Sequence, residues 1–159
     1  MKVGNGVFIA ETAVVRGDVE IGDDSSIWYN AVVRGDVDYI RIGSETNIQD
    51  NVVVHVDEGE PCEIGSRVTV GHSAVVHACR IADNVLIGMG AIVLNGAEVG
   101  EYTIVGAGSV LTGKKYPEHS LILGVPGKVV RELTDSELEF IERSWKNYIR
   151  LKNRYLGME

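Results

Sequence analysis

Three of the four histidines, His55, His72 and His77, lie within a stretch of 23 residues. Three imidazoles that leave one position open form the ligand set of a catalytic zinc, which lowers the pKa of its bound water to about 7. A single histidine in a strand is more often a surface or core residue, so a metal site requires that these side chains meet. The fourth histidine, His119, lies in the closing segment and is assigned no role.

An aliphatic residue recurs every six positions along most of the chain. This period fits neither an α-helix of 3.6 residues per turn nor the two-residue alternation of an isolated strand, but it is typical of a solenoid of short strands and turns. Small or β-branched residues usually follow four positions later, so each hexapeptide supplies one strand and one corner. The aliphatic positions are Ile9, Val15, Ile21, Ile27, Val33, Ile42, Ile48, Val54, Ile64, Val70, Val76, Ile81, Ile87, Val93, Val99, Val105 and Leu111.

The repeat resembles that of the hexapeptide-repeat proteins, whose strands wind a left-handed parallel β-helix of triangular section with three hexapeptides in each coil. The left hand is implied by the resemblance alone, because ordinary parallel crossover connections are right-handed. The predicted fold is therefore an all-β solenoid, a left-handed parallel β-helix of hexapeptide repeats over residues 1–133, with a C-terminal α-helix packed along it.

Three faces per coil align two of the histidines. The period is interrupted by insertions of about three residues before Ile42 and about four before Ile64. With these counted, Arg34, His55 and His77 form one column, each directly after an inward aliphatic residue and therefore pointing outward. Neighbouring strands lie about 4.8 Å apart, so His55 and His77 are expected to share a metal ion.

The third histidine falls elsewhere on the coil. His72 belongs to the preceding face, together with Gln49, and cannot easily reach the same ion from its own coil. A closed ring of identical chains would place His72 of one chain beside His55 and His77 of another. The spacing therefore predicts a metal site at the interface between subunits.

A helix is predicted over residues 134–159, within the same structural domain. The segment Thr134–Glu137 reads as a capping box. The helix should extend to about Tyr155 and lay one apolar stripe on the β-helix, although a partner-binding helix is the alternative. The stripe consists of Leu138, Ile141, Trp145, Tyr148 and Ile149.

Composition narrows the class of protein. The 159 residues suit one domain, and the net charge of −8 makes nucleic acid or an anionic membrane an unlikely partner. Two cysteines, Cys62 and Cys79, are too few for a disulfide scaffold and read as reduced, buried thiols. The chain has no apolar segment typical of a signal peptide or a membrane span, so we expect a cytoplasmic protein.

Several motifs resemble those of the γ-class carbonic anhydrases, from about residue 8 to the segment Gly124–Pro126. They are Arg34-Gly35-Asp36, Asn47-Ile48-Gln49-Asp50-Asn51, His55, Gly71-His72 and Val76-His77. The resemblance implies a homotrimer that hydrates carbon dioxide to bicarbonate. It also implies that two histidines of one subunit and the middle histidine of its neighbour bind zinc.

The same resemblance implies roles for the residues around the metal. Gln49 would orient a metal-bound hydroxide, and Arg34, Asp36 and Asp50 would form an ion-pair network across the interface. A purely structural role of that network stays open. Imidazole ligands suit Fe²⁺ and Co²⁺ as well as Zn²⁺, so the residues do not select the metal.

The proton path departs from the family pattern. Val37 replaces the glutamate that follows the Arg-Gly-Asp segment in the best-characterised members, and the acidic loop is reduced to Val56–Pro61. Glu58 is the candidate substitute for the missing shuttle carboxylate, with a solvated loop acid as the alternative.

Two other functions compete: an acyl-CoA-dependent acyltransferase, and a non-catalytic metal-containing or ligand-binding protein.

Overall fold

The computed structural model describes residues 1–158, which form nineteen short strands and one helix. Within this range the strands wind a parallel β-solenoid of about seven turns, which confirms the predicted fold. The elements are β1 Lys2–Val3, β2 Phe8–Ile9, β3 Val14–Ile21, β4 Ser26–Ile27, β5 Val32–Ile42, β6 Asn47–Ile48, β7 Val53–His55, β8 Cys62–Ile64, β9 Thr69–Val70, β10 Val75–His77, β11 Arg80–Ile81, β12 Leu86–Ile87, β13 Ile92–Val93, β14 Glu98–Val99, β15 Ile104–Val105, β16 Val110–Leu111, β17 Lys115–Tyr116, β18 Ser120–Leu123, β19 Lys128–Glu132 and α1 Asp135–Tyr155.

The strands stack into three faces. The histidine face consists of β7, β10, β13, β16 and the first halves of β3 and β5. The second face consists of β1, β8, β11, β14, β17 and the second halves of β3 and β5. The third face runs from β2 through β4, β6, β9, β12 and β15 to β18, and ends with the antiparallel strand β19. Because β5 continues from one face to the next, the histidine face and the second face are joined there.

The strand register confirms the predicted column. Arg34 pairs with His55, and His55 pairs with His77. The three-residue insertion lies within β5, where its pairing with β3 shifts register and adds the segment that contains Asp36. The four-residue insertion occupies the connection between β7 and β8. Both insertions bulge outward, so the inward stacking of aliphatic residues continues past them.

The core is the stack of inward aliphatic side chains. Ile48, Val70, Ile87 and Val105 of the third face have no exposed surface, and the other faces contribute equivalent columns. Removal of this apolar surface from water is the main force that holds the coils together. Cys62 and Cys79 are buried and not linked by a disulfide, in agreement with the sequence prediction.

Helix α1 packs along the solenoid as predicted. Thr134 is its N-cap, and Thr134 and Glu137 form the expected capping box. Ile141 is buried, and the other four residues of the predicted stripe are partly buried. Near its C-terminal end, Lys152 is fully buried and donates to Asp24 over 2.9 Å. No helix in residues 1–158 has the length and apolar character needed to cross a membrane.

Candidate metal centre

His55 and His77 lie side by side on the histidine face, because β7 and β10 pair in register. His55 Nδ1 is 3.2 Å from His77 Nε2, and the ring centroids are 5.2 Å apart. Two nitrogens bound to one tetrahedral zinc ion at about 2.0–2.1 Å would be about 3.3 Å apart. The observed separation therefore suits a metal ion shared by the two rings.

The outer nitrogen of each ring faces a hydrogen-bond acceptor. Asp36 Oδ1 accepts from His55 Nε2–H over 2.9 Å, and Asn95 Oδ1 accepts from His77 Nδ1–H over 2.7 Å. A neutral imidazole carries one N–H, so the two facing nitrogens carry lone pairs. Lone pairs at this separation repel unless a cation lies between them. The donor set therefore fits a metal ion, whose histidine ligands typically donate their second N–H in this way.

Asp36 links the site to Arg34. The carboxylate accepts from His55 and also contacts the Arg34 guanidinium, so the three side chains form a chain of charge-assisted hydrogen bonds. The hydrogen bond from His55, followed by that from Arg34, holds the pKa of Asp36 below its ordinary value. The carboxylate is thus kept ionised and ready to accept from the imidazole.

His72 lies at the corner that follows β9 and is held by a different carboxylate. Its Nδ1 is 2.8 Å from Asp50 Oδ2, and both side chains are partly exposed. Ile48 pairs with Val70 on neighbouring strands. Asp50 and His72 each follow two residues after one member of this pair, so the pairing brings them together. The Asp50 carboxylate beside Nδ1 favours a proton on that nitrogen, which leaves the lone pair that a metal would require on His72 Nε2.

Gln49 is buried beside this corner, and both ends of its amide are used. Gln49 Oε1 accepts from the backbone N–H of His72 over 3.2 Å. Gln49 Nε2 donates to Asn47 Oδ1 over 3.0 Å, and Asn47 in turn donates to Thr69 Oγ1 over 2.9 Å. The amide is therefore fixed in orientation and supports the backbone of the His72 corner.

Seven of the eight predicted site residues thus fall into two groups, and Glu58 belongs to neither. Arg34, Asp36, His55 and His77 meet on the histidine face, whereas Gln49, Asp50 and His72 meet at the neighbouring corner. Among residues 1–158 no group of three or more His, Cys, Asp or Glu side chains converges to hold a metal. One chain alone brings together two of the three predicted metal ligands.

The short acidic loop between β7 and β8 forms a tight turn. Asp57 and Glu60 are joined by two backbone hydrogen bonds of 3.3 and 3.0 Å, and Glu58 is exposed at the tip beside Gly59. The side chains of Asp57 and Glu60 accept from Asn95 Nδ2 over 2.7 and 2.5 Å. Of the loop carboxylates, those of Asp57 and Glu60 are therefore linked to His77 through Asn95.

Sequence reasoning did not identify Asn95. It follows β13 by two residues, so it lies outside the column of residues that come directly after an inward aliphatic residue. The only signal for Asn95 in the sequence is its position about one coil after His77. Asparagine is common at turns, so this position alone does not indicate a functional role. Its contact with His77 depends on the fold of the corner and not on the six-residue period.

Comparison with known proteins gives the chain close relatives. The family model for bacterial transferase hexapeptide (six repeats) matches residues 1–35 and 78–113. A probable carbonic anhydrase of Methanocaldococcus jannaschii is 55% identical over 150 residues, which cover 94% of each chain. Gamma carbonic anhydrase 2, mitochondrial, of Arabidopsis thaliana is 47% identical over 156 residues, but this chain spans only 56% of that protein.

A solved structure gives the same relationship in three dimensions. The crystal structure of a hexapeptide transferase family protein from Anaplasma phagocytophilum superposes with a TM-score of 0.93 at 44% sequence identity. The match covers 97% of this chain and 92% of the other. The solenoid and its terminal helix are therefore shared along nearly the whole length.

Proposed function

Because the chain belongs to the γ-class carbonic anhydrase family, we propose that it catalyses the reversible hydration of carbon dioxide to bicarbonate at a metal held between subunits of a homotrimer. One observation carries the proposal. His55 Nδ1 and His77 Nε2 face each other at 3.2 Å, and the outer nitrogen of each ring is bound to an acceptor. This arrangement suits metal binding.

The metal would be held by His55 and His77 of one subunit and by His72 of a neighbour. Three neutral imidazoles around Zn²⁺, with Fe²⁺ or Co²⁺ as alternatives, supply a water that ionises near neutral pH. Asp36 accepts the second N–H of His55, and the Asp50 carboxylate lies against His72 Nδ1. Arg34 donates to Oδ2 of Asp36, the carboxylate oxygen that His55 does not use.

The outward side chains of two faces support subunit contact on the histidine face. On the histidine face, one column of outward side chains is aliphatic. On the second face, the corresponding outward column alternates between positive and negative charge, and its members form ion pairs within the single chain. The aliphatic column is Val14, Val32, Val53, Val75, Ile92 and Val110. The charged column is Lys2, Glu20, Arg41, Glu63, Arg80, Glu98 and Lys115.

This contrast supports a trimer in which the histidine face is covered. The members of the aliphatic column are exposed or partly exposed in the single chain. A continuous exposed apolar column marks an interaction surface, while a ladder of paired charges is suited to water. A ring of three chains would bury the column and bring the His72 corner of one chain to the histidine face of the next.

Two further residues have proposed roles in the reaction. Gln49 Oε1 accepts one backbone hydrogen bond, and its second lone pair is free to orient the attacking water. Glu58 is exposed at the loop tip, where a carboxylate can pass a proton to bulk solvent. Asp57 and Glu60 are bound to Asn95, which leaves Glu58 as the loop carboxylate free to exchange protons.

The test is stopped-flow carbon dioxide hydration on protein purified without oxygen, with the metal content measured on the same sample. We expect about one metal per chain, hydration above the buffer rate, and loss of both in a His72→Ala variant. Metal at one per chain without hydration would contradict the catalytic proposal and leave a non-catalytic metal protein.

Acyl transfer is the competing function, since the matching family model and the Anaplasma structure carry transferase names. An acyltransferase of this fold would use a histidine as general base and bind an acyl-CoA thioester. Equilibrium dialysis with acetyl-CoA separates the two. The proposed hydration reaction predicts no saturable binding, and binding that survives metal removal would favour acyl transfer.

A further inference from the structure

Asn95 is placed between a metal ligand and two carboxylates. Its amide nitrogen donates to Asp57 Oδ2 over 2.7 Å and to Glu60 Oε2 over 2.5 Å. Ionised carboxylates only accept hydrogen bonds, so both hydrogens of the amide must point toward them. The orientation of the Asn95 amide is therefore determined by its neighbours: the nitrogen faces the acidic loop and the oxygen faces the histidines.

This orientation has a consequence for His77. Asn95 Oδ1 is 2.7 Å from His77 Nδ1 and offers only an acceptor, so His77 must carry its proton on Nδ1. The other ring nitrogen, Nε2, is then unprotonated. That nitrogen lies 3.2 Å from His55 Nδ1, at the position where the metal is proposed to bind.

We propose that Asn95 is a positioning residue, oriented by Asp57 and Glu60, that fixes His77 in the tautomer able to bind the metal. The inference rests on the proposed metal site and assigns a purpose to the acidic insertion between β7 and β8. Gly59, with φ of 76°, allows the tight turn that brings the two carboxylates to the same amide. The loop thus acts through Asn95 on a ligand of the metal.

The arrangement on the two rings is complementary. Asp36 accepts from His55 Nε2–H, and Asn95 accepts from His77 Nδ1–H, so the two ligands present different nitrogens to a common point. A carboxylate performs this task for His55. For His77 the acceptor is the neutral amide of Asn95. The negative charge lies one hydrogen bond further from the ring, on Asp57 and Glu60.

The test reads the tautomer of His77 in metal-free protein by ¹⁵N NMR at pH 8, above the usual imidazole pKa of about 6.5. In the unmodified protein we expect His77 as the Nδ1–H form. In Asn95→Leu we expect a shift toward the Nε2–H form and a loss of zinc affinity of about 10- to 100-fold, the usual effect of removing such a partner.

A compensating variant separates orientation from simple packing. Asn95→Asp combined with Asp57→Asn and Glu60→Gln exchanges donors and acceptors: the carboxylate at position 95 accepts from His77, and two amides donate to it. We expect this triple variant to recover the Nδ1–H tautomer and zinc affinity. It also provides the test if Asn95→Leu does not fold. The control is Glu98→Gln, which removes a nearby surface carboxylate that pairs with Lys115 instead of Asn95.

An unchanged His77 tautomer in Asn95→Leu would overturn the inference, whether or not zinc affinity falls. Failure of the triple variant to restore the tautomer would also contradict it. These results are independent of turnover, because the tautomer is read without metal. Absence of zinc binding by the unmodified protein would refute the proposed function, while the NMR result would still decide the role of Asn95.

Discussion

Asp50 Oδ2 lies 2.8 Å from His72 Nδ1, at a corner separate from the face that carries His55 and His77. The resemblance to the family implies an ion-pair network of Arg34, Asp36 and Asp50 across the subunit interface. Within a single chain Asp50 lies against the ring of the third predicted metal ligand. Each of the three predicted ligand histidines therefore has its own oxygen neighbour at one ring nitrogen: Asp36, Asp50 or Asn95.

Asp50→Asn is expected to weaken zinc binding by about 10- to 100-fold, because it removes the negative charge that lies against His72 Nδ1. Competition titration against a zinc chelator measures the effect. Asp135→Asn, which changes an exposed carboxylate in the first turn of α1, serves as the control. Equal zinc affinity of Asp50→Asn and the unmodified protein would show that Asp50 does not support a metal ligand.

Ile92→Asp is expected to convert the proposed trimer to monomers at micromolar concentration, because it introduces a charge into the aliphatic column of the histidine face. Analytical ultracentrifugation measures the change. Arg80→Gln, on the charged column of the second face, should leave the trimer intact. If Ile92→Asp remains trimeric, the subunits do not meet through this column.

Asp24→Asn is expected to destabilise the fold by about 1–3 kcal/mol, because it leaves the fully buried ammonium group of Lys152 without its charged partner. Asparagine tolerates the left-handed backbone of Asp24, where φ is 57°, so strain is not the cause. Urea unfolding at one fixed protein concentration measures the loss. Lys152→Met, which removes the charge but keeps much of the volume, should cost less. The reverse order would contradict the ion-pair explanation.

Glu137 should make the stability of α1 depend on pH. Two hydrogen bonds from Arg131, followed by the backbone N–H of Thr134, lower the pKa of Glu137 to about 2. Because the folded pKa is below the ordinary value of 4.5, the contribution is complete above pH 4.5 and decreases as pH falls toward 2.

Thermal unfolding from pH 2 to 6 compares the protein with Glu137→Gln. The difference in melting temperature should be constant above about pH 5 and shrink below it. High salt should reduce the difference, since the Glu137 side chain is partly exposed to solvent. A difference that does not change over this range would mean that the carboxylate of Glu137 makes no charge-dependent contribution.

The fold was largely predictable because one six-residue period determines it. Inward burial of residues such as Ile48 and Val70 sets the faces, and counting along the chain then placed Arg34, His55 and His77 in register. The capping box similarly located the start of α1, because its side chains act on the adjacent backbone.

The interactions around the site were less predictable because they depend on residues outside the period. Asp36 lies in the insertion of β5, and Asn95 lies at a corner where no repeat position specifies its direction. The contact of Asp57 and Glu60 with Asn95 joins positions 38 and 35 residues apart. A short-range pattern has no information about such contacts.

The proposed position of the metal between subunits is tested most directly by mixing two chains, each of which lacks part of the histidine set. One carries His72→Ala and the other His55→Ala with His77→Ala, and the two are coexpressed with different affinity tags. In a cyclic trimer every mixed assembly contains one interface with all three histidines, so we expect one zinc per mixed trimer and none in either homotrimer. Mixed trimers without zinc would contradict a site shared between subunits.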